Sequence, residues 1–375
     1  MILLALLWAF SGLALEIKLE LGWAGRPVLG AVNPLWITLT NPEAFLVQGE
    51  LRVSMEFGSP WRGRGTYTAV MPCAVGPFSQ TRLRLPWPVQ AGGFLLKAAV
   101  FAEERRLGEG ELRFVAEPEP LRAGLGPPLA PLDLFLSPAE LPPEPLLLSP
   151  FAELRVFLPL NPAEEDVVRA WRAFLWGEAR LEAEALRAHL AGLRPPAPPW
   201  GLLLPGLFLY VMALVWALPG LARGRPGFAL VLLLMFSCFA LFYSVSREAS
   251  PKEGRVYIRV ERPGFTSFCL ELWGIVPWAR EEVVLEGWWA ELLPAQGWEG
   301  RDLRWRLAEG QWATVIPLEP GVPRVLLRLG QGVAPPGEKV PPPAWLRRAL
   351  LLPWEQASVS RLPLEGVEAY LVRWP

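Results

Sequence analysis

Cysteine, histidine and asparagine are scarce: the 375 residues include three cysteines, one histidine, and asparagine only at Asn33, Asn41 and Asn161. The odd, sparse set Cys73, Cys238 and Cys269 cannot build a disulfide framework; one bridge between Cys73 and Cys269, or two separate buried thiols, both stay open. A lone histidine, His189, removes most catalysis by Ser-His-Asp, Cys-His or histidine-rich metal sites. No Cys or carboxylate cluster stands beside it at metal spacing, so His189 reads as a residue on a helix surface and not as a ligand or base. Phosphate-cradling loops of the form Gly-x-x-x-x-Gly-Lys-Ser/Thr or Gly-x-Gly-x-x-Gly are missing, and no metal or cofactor is implied. An excess of either charge is missing too. Lys+Arg number 36 against 37 Asp+Glu, a net charge of -1 spread evenly along the chain, which leaves no basic face for nucleic acid.

Proline is abundant, at 42 residues, and the charged side chains are almost all Glu and Arg. Few thermolabile amides and many loop prolines fit a thermophile with a GC-rich genome.

Two uncharged apolar runs, Leu202 to Ala222 and Gly227 to Val245, flank Arg223-Gly224-Arg225-Pro226. At about 1.5 Å per residue each reaches about 28–32 Å as a helix, which matches a hydrocarbon core of about 30 Å. They predict a transmembrane hairpin: one helix over 201–222, a cytoplasmic turn at 223–226 and a second helix over 227–246. Arg223 and Arg225 set that orientation by the positive-inside rule, with Arg194, Arg247 and Lys252 nearly balancing them at the opposite ends. Inside the runs Tyr210, Ser237, Cys238, Tyr243 and Ser244 are the polar groups, and no charge stands there to relay protons or bind an ion. Cys238 is there a small apolar residue.

Residues 1–15 carry an apolar run followed by Gly12 and Ala14 at the small positions of a signal-peptidase site, without a Lys or Arg before it. A cleaved signal, an uncleaved N-terminal anchor and a buried strand are the three readings. Either of the first two carries the following residues across the membrane.

Period-two alternation divides the rest. In 16–116, Leu35, Ile37 and Leu39 point opposite to Trp36, Thr38 and Thr40, and further strands are expected at 49–55, 65–71, 81–85, 94–101 and 110–115. Short strands at this spacing predict an immunoglobulin-like β-sandwich. Residues 117–193 predict a small α/β segment: strands at Leu132–Leu136 and Leu154–Leu160, a helix capped by Asn161 with Pro162 at its first position and Glu164 closing a capping box, and a second helix over about 178–193. The Glu164-Glu165-Asp166 cluster lies in a first helical turn, where the dipole favours it, so it is read with Asp133 as structural and not as acid/base machinery. Residues 194–200 predict a stiff polyproline spacer ending in Trp200 at the headgroup layer. Residues 250–375 predict a second, antiparallel β domain with strands near 255–261, 268–275, 282–285, 302–307, 311–318, 324–329 and 368–374 and a helix at 344–352.

Tryptophan is dense in this last part. Packing in β strands with contact to the headgroup layer is the first reading of these residues; the other is a groove for sugar rings or peptide, with Trp288, Trp289, Trp298, Trp305 and Trp312 as the candidate ligand-binding residues.

The stretches Pro34-Leu-Trp-Ile-Thr-Leu-Thr-Asn41, Gly49-Glu-Leu-Arg-Val53, Met71-Pro72 and Leu83-Arg-Leu-Pro86 resemble the N-terminal β domain of bacterial membrane proteins of unknown function that carry a class I glutamine amidotransferase-like segment. The resemblance implies a β-sandwich, then a flavodoxin-like segment, membrane spans and a short C-terminal β domain, with residues 132–136 and 154–176 as what remains of the middle part. Glutaminase activity does not carry over. The segment has no cysteine for a strand-helix elbow, and His189 lies on a helix without the expected sequence neighbours.

The expectation is therefore a mainly β, non-enzymatic integral protein of the bacterial cell (inner) membrane, with both β domains extracytoplasmic. Its partners would be the lipid bilayer and a further membrane protein. A glycan- or peptide-binding module built on the tryptophans, and an envelope hydrolase or transferase with a carboxylate site, are the alternatives.

Overall fold

The computed structural model describes residues 15–59, 63–89, 94–128, 130–175, 180–193, 253–262, 268–277, 280–291, 302–332 and 334–374, together with single residues at 208, 211, 212, 215 and 236. The signal segment up to residue 14, the proline spacer and almost all of the hairpin lie outside the described residues, as do Cys238, Trp278 and Trp298. Phe208, Val211, Met212, Val215 and Phe236 are helical and exposed. Among the described residues no helix is long and apolar enough to cross a membrane.

The fold is mainly β. Seven strands come first: β1 (Glu16–Leu21), β2 (Ala31–Asn41), β3 (Val47–Ser59), β4 (Gly63–Val75), β5 (Ser79–Val89), β6 (Phe94–Ala102) and β7 (Arg105–Phe114). The next segment holds β8 (Leu121–Leu125), β9 (Leu134–Leu136), β10 (Phe151–Val156), α1 (Pro162–Phe174), β11 (Arg180–Leu181) and α2 (Ala183–Gly192). The last comprises β12 (Glu253–Glu261), β13 (Cys269–Pro277), β14 (Glu281–Glu286), β15 (Ala290–Glu291), β16 (Leu303–Ala308), β17 (Gln311–Leu318), β18 (Arg324–Gly330), β19 (Glu338–Lys339), α3 (Ala344–Ala349), β20 (Leu350–Leu351), β21 (Ser358–Arg361) and β22 (Glu368–Arg373).

Strands from the two ends of the sequence share one sheet. Its order is β14-β17-β16-β4-β3-β6-β7, joined where β16 runs parallel to β4 with Leu303 beside Tyr67 and Arg306 beside Val70. The two β regions that alternation marks off as separate domains therefore interlock. A single core follows: Leu35, Ile37, Leu51, Met55, Tyr67 and Trp87 from the first region pack in one cluster with Ile275, Trp289, Leu303, Trp305, Ile316 and Leu326 from the last. The expected alternation is present in β2, where Leu35, Ile37 and Leu39 are fully buried and Trp36, Thr38 and Thr40 lie on the outer face of the three-stranded sheet β1-β2-β5.

A second seven-stranded sheet, β15-β18-β13-β12-β22-β21-β19, carries the middle segment on its other face. Val256, Ile258, Leu270, Leu272 and Val325 are covered by Ala170 and Phe174 of α1, Leu186 and Leu190 of α2, and Leu346 and Ala349 of α3. Helix α2 approaches closely because Gly274 lies under it; a Cβ there would stand 2.7 Å from Leu190 Cδ1. The helix expected from about 178 starts at Ala183, because Arg180 and Leu181 extend to pair with Leu351 and Leu350. The same pairing ends the helix expected over 344–352 at Ala349. Asn161 caps α1 as expected, its side chain accepting from the Glu164 N–H while the Glu164 carboxylate accepts from the Asn161 N–H, each at 2.9 Å. Strands β8, β9 and β10 pair in parallel in the order β10-β8-β9.

Candidate functional site

Three side-chain clusters stand out: the tryptophans at the seam of the shared sheet, a row of buried charges, and the surroundings of His189.

The described candidate tryptophans pack against neighbouring strands. Trp289 and Trp305 are each 1% exposed, and Trp288 and Trp312 are half-buried. Trp288 stacks on Trp305 with ring centroids 5.3 Å apart, Trp305 meets Trp87 at 5.6 Å and Tyr67 at 5.5 Å, and its indole N–H donates to the Trp289 carbonyl at 2.8 Å. Trp289 donates through its own indole N–H to the Glu286 carbonyl at 2.9 Å and lies under the Arg328 guanidinium at 4.5 Å. With Trp298 outside the described residues, the four others form an aromatic mortar between strands of both regions. Among the described residues of the last region no tryptophan is exposed.

The charge row crosses three adjacent strands. Register sets Arg259 of β12 opposite Glu271 of β13, and Glu271 opposite Arg328 of β18. Glu271, 3% exposed, accepts from Arg259 at 3.3 Å and from the Tyr257 hydroxyl at 2.5 Å, and its second oxygen accepts from Arg328. Arg259 also reaches Glu261 at 2.8 Å and the Gly332 carbonyl. Cys269 stands beside this row; burial, with the Glu271 charge adding to it, pushes its thiol up to about 12, far from a nucleophilic thiolate. Burial and the same carboxylate also push the Tyr257 phenol up. Cys73 and Cys269 are both free, which leaves two separate thiols and no bridge. A second buried pair, Arg324 and Glu291, meets at 2.6 Å, and the arginine also donates to the Pro317 carbonyl at 2.9 Å. Every one of these charges has a partner, as buried charges require.

His189 differs from the helix-surface residue expected. Its ring is stacked on Trp345 at 4.0 Å and 8°, and Nε2 lies 3.1 Å from a Glu368 oxygen. The other Glu368 oxygen accepts from the Tyr370 hydroxyl at 2.9 Å and from the Trp345 indole at 3.3 Å. Burial alone would raise the Glu368 carboxyl; the hydrogen bonds from His189 and Tyr370 overcome it and hold the group below the usual carboxylate range. Burial, reinforced by Glu368, pushes Tyr370 up to about 12. The cluster ties α2, α3 and β22 together, and Glu368 is 179 positions away from His189 in sequence, which is why no local motif announced the pair. Cys269 is on the opposite face of that sheet and does not serve this histidine.

Asp133 accepts from the Arg122 N–H at 2.8 Å and pairs with its side chain, a structural role. A cleft of about 390 Å³ opens beyond β10 beside the α1 N-terminus, bounded by Pro142, Val167, Phe268 and Gln331, but Asn161 and Glu164 on its rim are engaged in capping. Among the described residues no group of His, Cys, Asp or Glu is arranged to hold a metal ion.

No family model matches this chain, and no curated protein matches it. Among solved structures, a cycloisomaltooligosaccharide glucanotransferase of Paenibacillus sp. complexed with cycloisomaltoheptaose is similar over 38% of this chain and 20% of its own, at 16% identity and a TM-score of 0.22. An alkylpurine DNA glycosylase of Pseudomonas fluorescens is similar over 30% of this chain and 33% of its own, at 16% identity and 0.23. A β-glucosidase of Listeria innocua in complex with glucose is similar over 27% of this chain and 16% of its own, at 13% identity and 0.21. The chain spans a third or less of each, and likeness at these scores carries neither a fold nor an activity.

Proposed function

We propose that the chain is a non-enzymatic integral protein of the bacterial cell envelope. One interlocked extracytoplasmic β body is anchored by a two-helix hairpin over 201–246, preceded by a degenerate flavodoxin-like segment, and serves as a scaffold or binding subunit for another membrane component. The observation that carries this is where the chain leaves and re-enters the body. Gly254 lies against Leu193, a Cβ on the glycine standing 2.9 Å from the leucine Cβ. The stretch between them starts and finishes at one point, at the end of α2 and the start of β12, which share one core, so any membrane crossing within it must be made an even number of times. Two apolar runs of spanning length satisfy that parity. The exposed helical side chains of Phe208, Val211, Met212 and Val215, at i, i+3, i+4 and i+7 spacing, fit a lipid-facing stripe. The parallel order β10-β8-β9 supports the flavodoxin-like ancestry of the middle segment.

Reporter fusions test this. Alkaline phosphatase joined after Pro375 is expected to be active, and the same enzyme inserted at Gly224 inactive. An inactive fusion at Pro375, or activity at Gly224, overturns the placement.

A further inference from the structure

Four turns meet at one end of the shared sheet: 42–46 between β2 and β3, 76–78 between β4 and β5, 103–104 between β6 and β7, and 309–310 between β16 and β17. Register puts them there, with Asn41 beside Ser79, Val47 beside Val75, Glu50 beside Phe101, and β16 running the same way as β4. One buried side chain staples two of the turns. Asn41, 1% exposed, donates to the carbonyls of Phe45 at 2.8 Å and Gly76 at 2.9 Å and accepts from the Glu43 N–H at 3.0 Å, while the Phe78 N–H donates to the Glu43 carbonyl at 2.9 Å.

This rigid tip holds up Phe45, Leu46 and Phe78, which are 48%, 51% and 74% exposed. Phe78 sits in the left-handed region at φ 48°, where a bulky side chain stays only when its surroundings impose it. Strain spent on keeping a phenylalanine in water marks a contact surface. The charged residues in the four turns are Glu43, Glu103, Glu104 and Glu309; the basic residues that adjoin them are Arg105 and Arg106 at the start of β7, of which Arg106 is paired with Glu109.

The charge selects the occupant. An anionic bilayer surface is repelled by four carboxylates. The tip also lies at the far end of the sheet from the re-entry point: Arg255 reaches Glu281 at 4.0 Å, Glu281 pairs with Leu318, and Leu303 pairs with Tyr67, about 26 Å from Val75 at about 3.3 Å per residue. A second copy using the same face would set like charges against like. We infer that the tip docks into another protein, whose apolar pocket takes Phe78 and Phe45 and is edged by Arg or Lys. This deepens the scaffold reading by naming the surface that does the binding, and it rests on that reading for its direction away from the bilayer.

The test is photo-cross-linking in the full chain, in its own membranes, with p-benzoylphenylalanine replacing Phe78 and, as control, Lys18 on the exposed face of β1. The expected result is one heavier adduct from position 78 and none from 18, joined to a partner peptide that neighbours Arg or Lys, and reduced at least ten-fold by Phe45→Asp and by Glu43→Lys with Glu104→Lys. No adduct, an adduct of the chain with itself, a lipid adduct, or a yield indifferent to those substitutions overturns the proposal. Correct phosphatase fusions beside a missing adduct refute the tip alone; wrong fusions refute the anchor.

Discussion

The backbone N–H of Thr66 donates to the Asp302 carboxylate at 2.9 Å across 236 positions of sequence. It stands where β4 and β16 begin to run together, and it closes the junction between the two β regions. Asp302→Ala leaves a half-buried donor without its acceptor and is expected to lower stability by about 1–3 kcal/mol, with Asp302→Asn recovering most of the loss. Thermal melting of the purified chain checks this; an alanine variant that melts with the wild type would show the bond to be dispensable.

Gly274 admits α2 to the second sheet. Gly274→Val must displace Leu190, at an expected cost of about 1–3 kcal/mol. Leu190→Ala in the same chain should relieve part of that, so the double variant is expected to be more stable than the sum of the single losses. Simple additivity in the double-mutant cycle would place the strain elsewhere.

The acid limb of stability depends on Glu368. Its carboxyl is lowered in the folded state, so its contribution is complete above the unfolded value of about 4.3 and is lost as pH falls through the lower folded value. The wild-type melting temperature should therefore drop more steeply between about pH 5 and 3 than that of Glu368→Gln. Parallel slopes would count against the hydrogen bonds from His189 and Tyr370 as its cause.

Cys269 should resist alkylation. With its thiol near 12, iodoacetamide at pH 8 is expected to leave it unmodified in the folded chain and to modify it once the chain is unfolded. Peptide mapping after each treatment reads this directly, and prompt modification of the folded protein would contradict the burial described.

The strands were legible in the sequence because alternation is local: Leu35, Ile37 and Leu39 declare a buried face whatever covers it. The capping box of α1 was legible for the same reason. What covers a face is a long-range matter. Nothing around Leu303 announces that it lies beside Tyr67, since parallel pairing leaves no turn signal, and two regions separated by an apolar stretch read as two domains. The tryptophans left two readings open for the same reason. Residue type marked Trp289 and Trp305 as candidates for ligand contact, but the neighbours that bury them include Tyr67 and Trp87, more than two hundred positions upstream. The sequence around His189 shows only its own helix, whereas its partners come from β22 and α3.

The parallel seam between β4 and β16 also dictates an order of manufacture. As the ribosome releases the chain, β3, β4, β6 and β7 can assemble early, but the outer edge of β4 waits until residue 303 has been made, which is after both apolar runs have been synthesised. During that interval a nascent sheet offers a bare row of N–H and C=O groups to any other strand nearby. Closure of the sheet thus waits on translation through the apolar stretch: a chain delayed there is also a chain held with an open, adhesive edge.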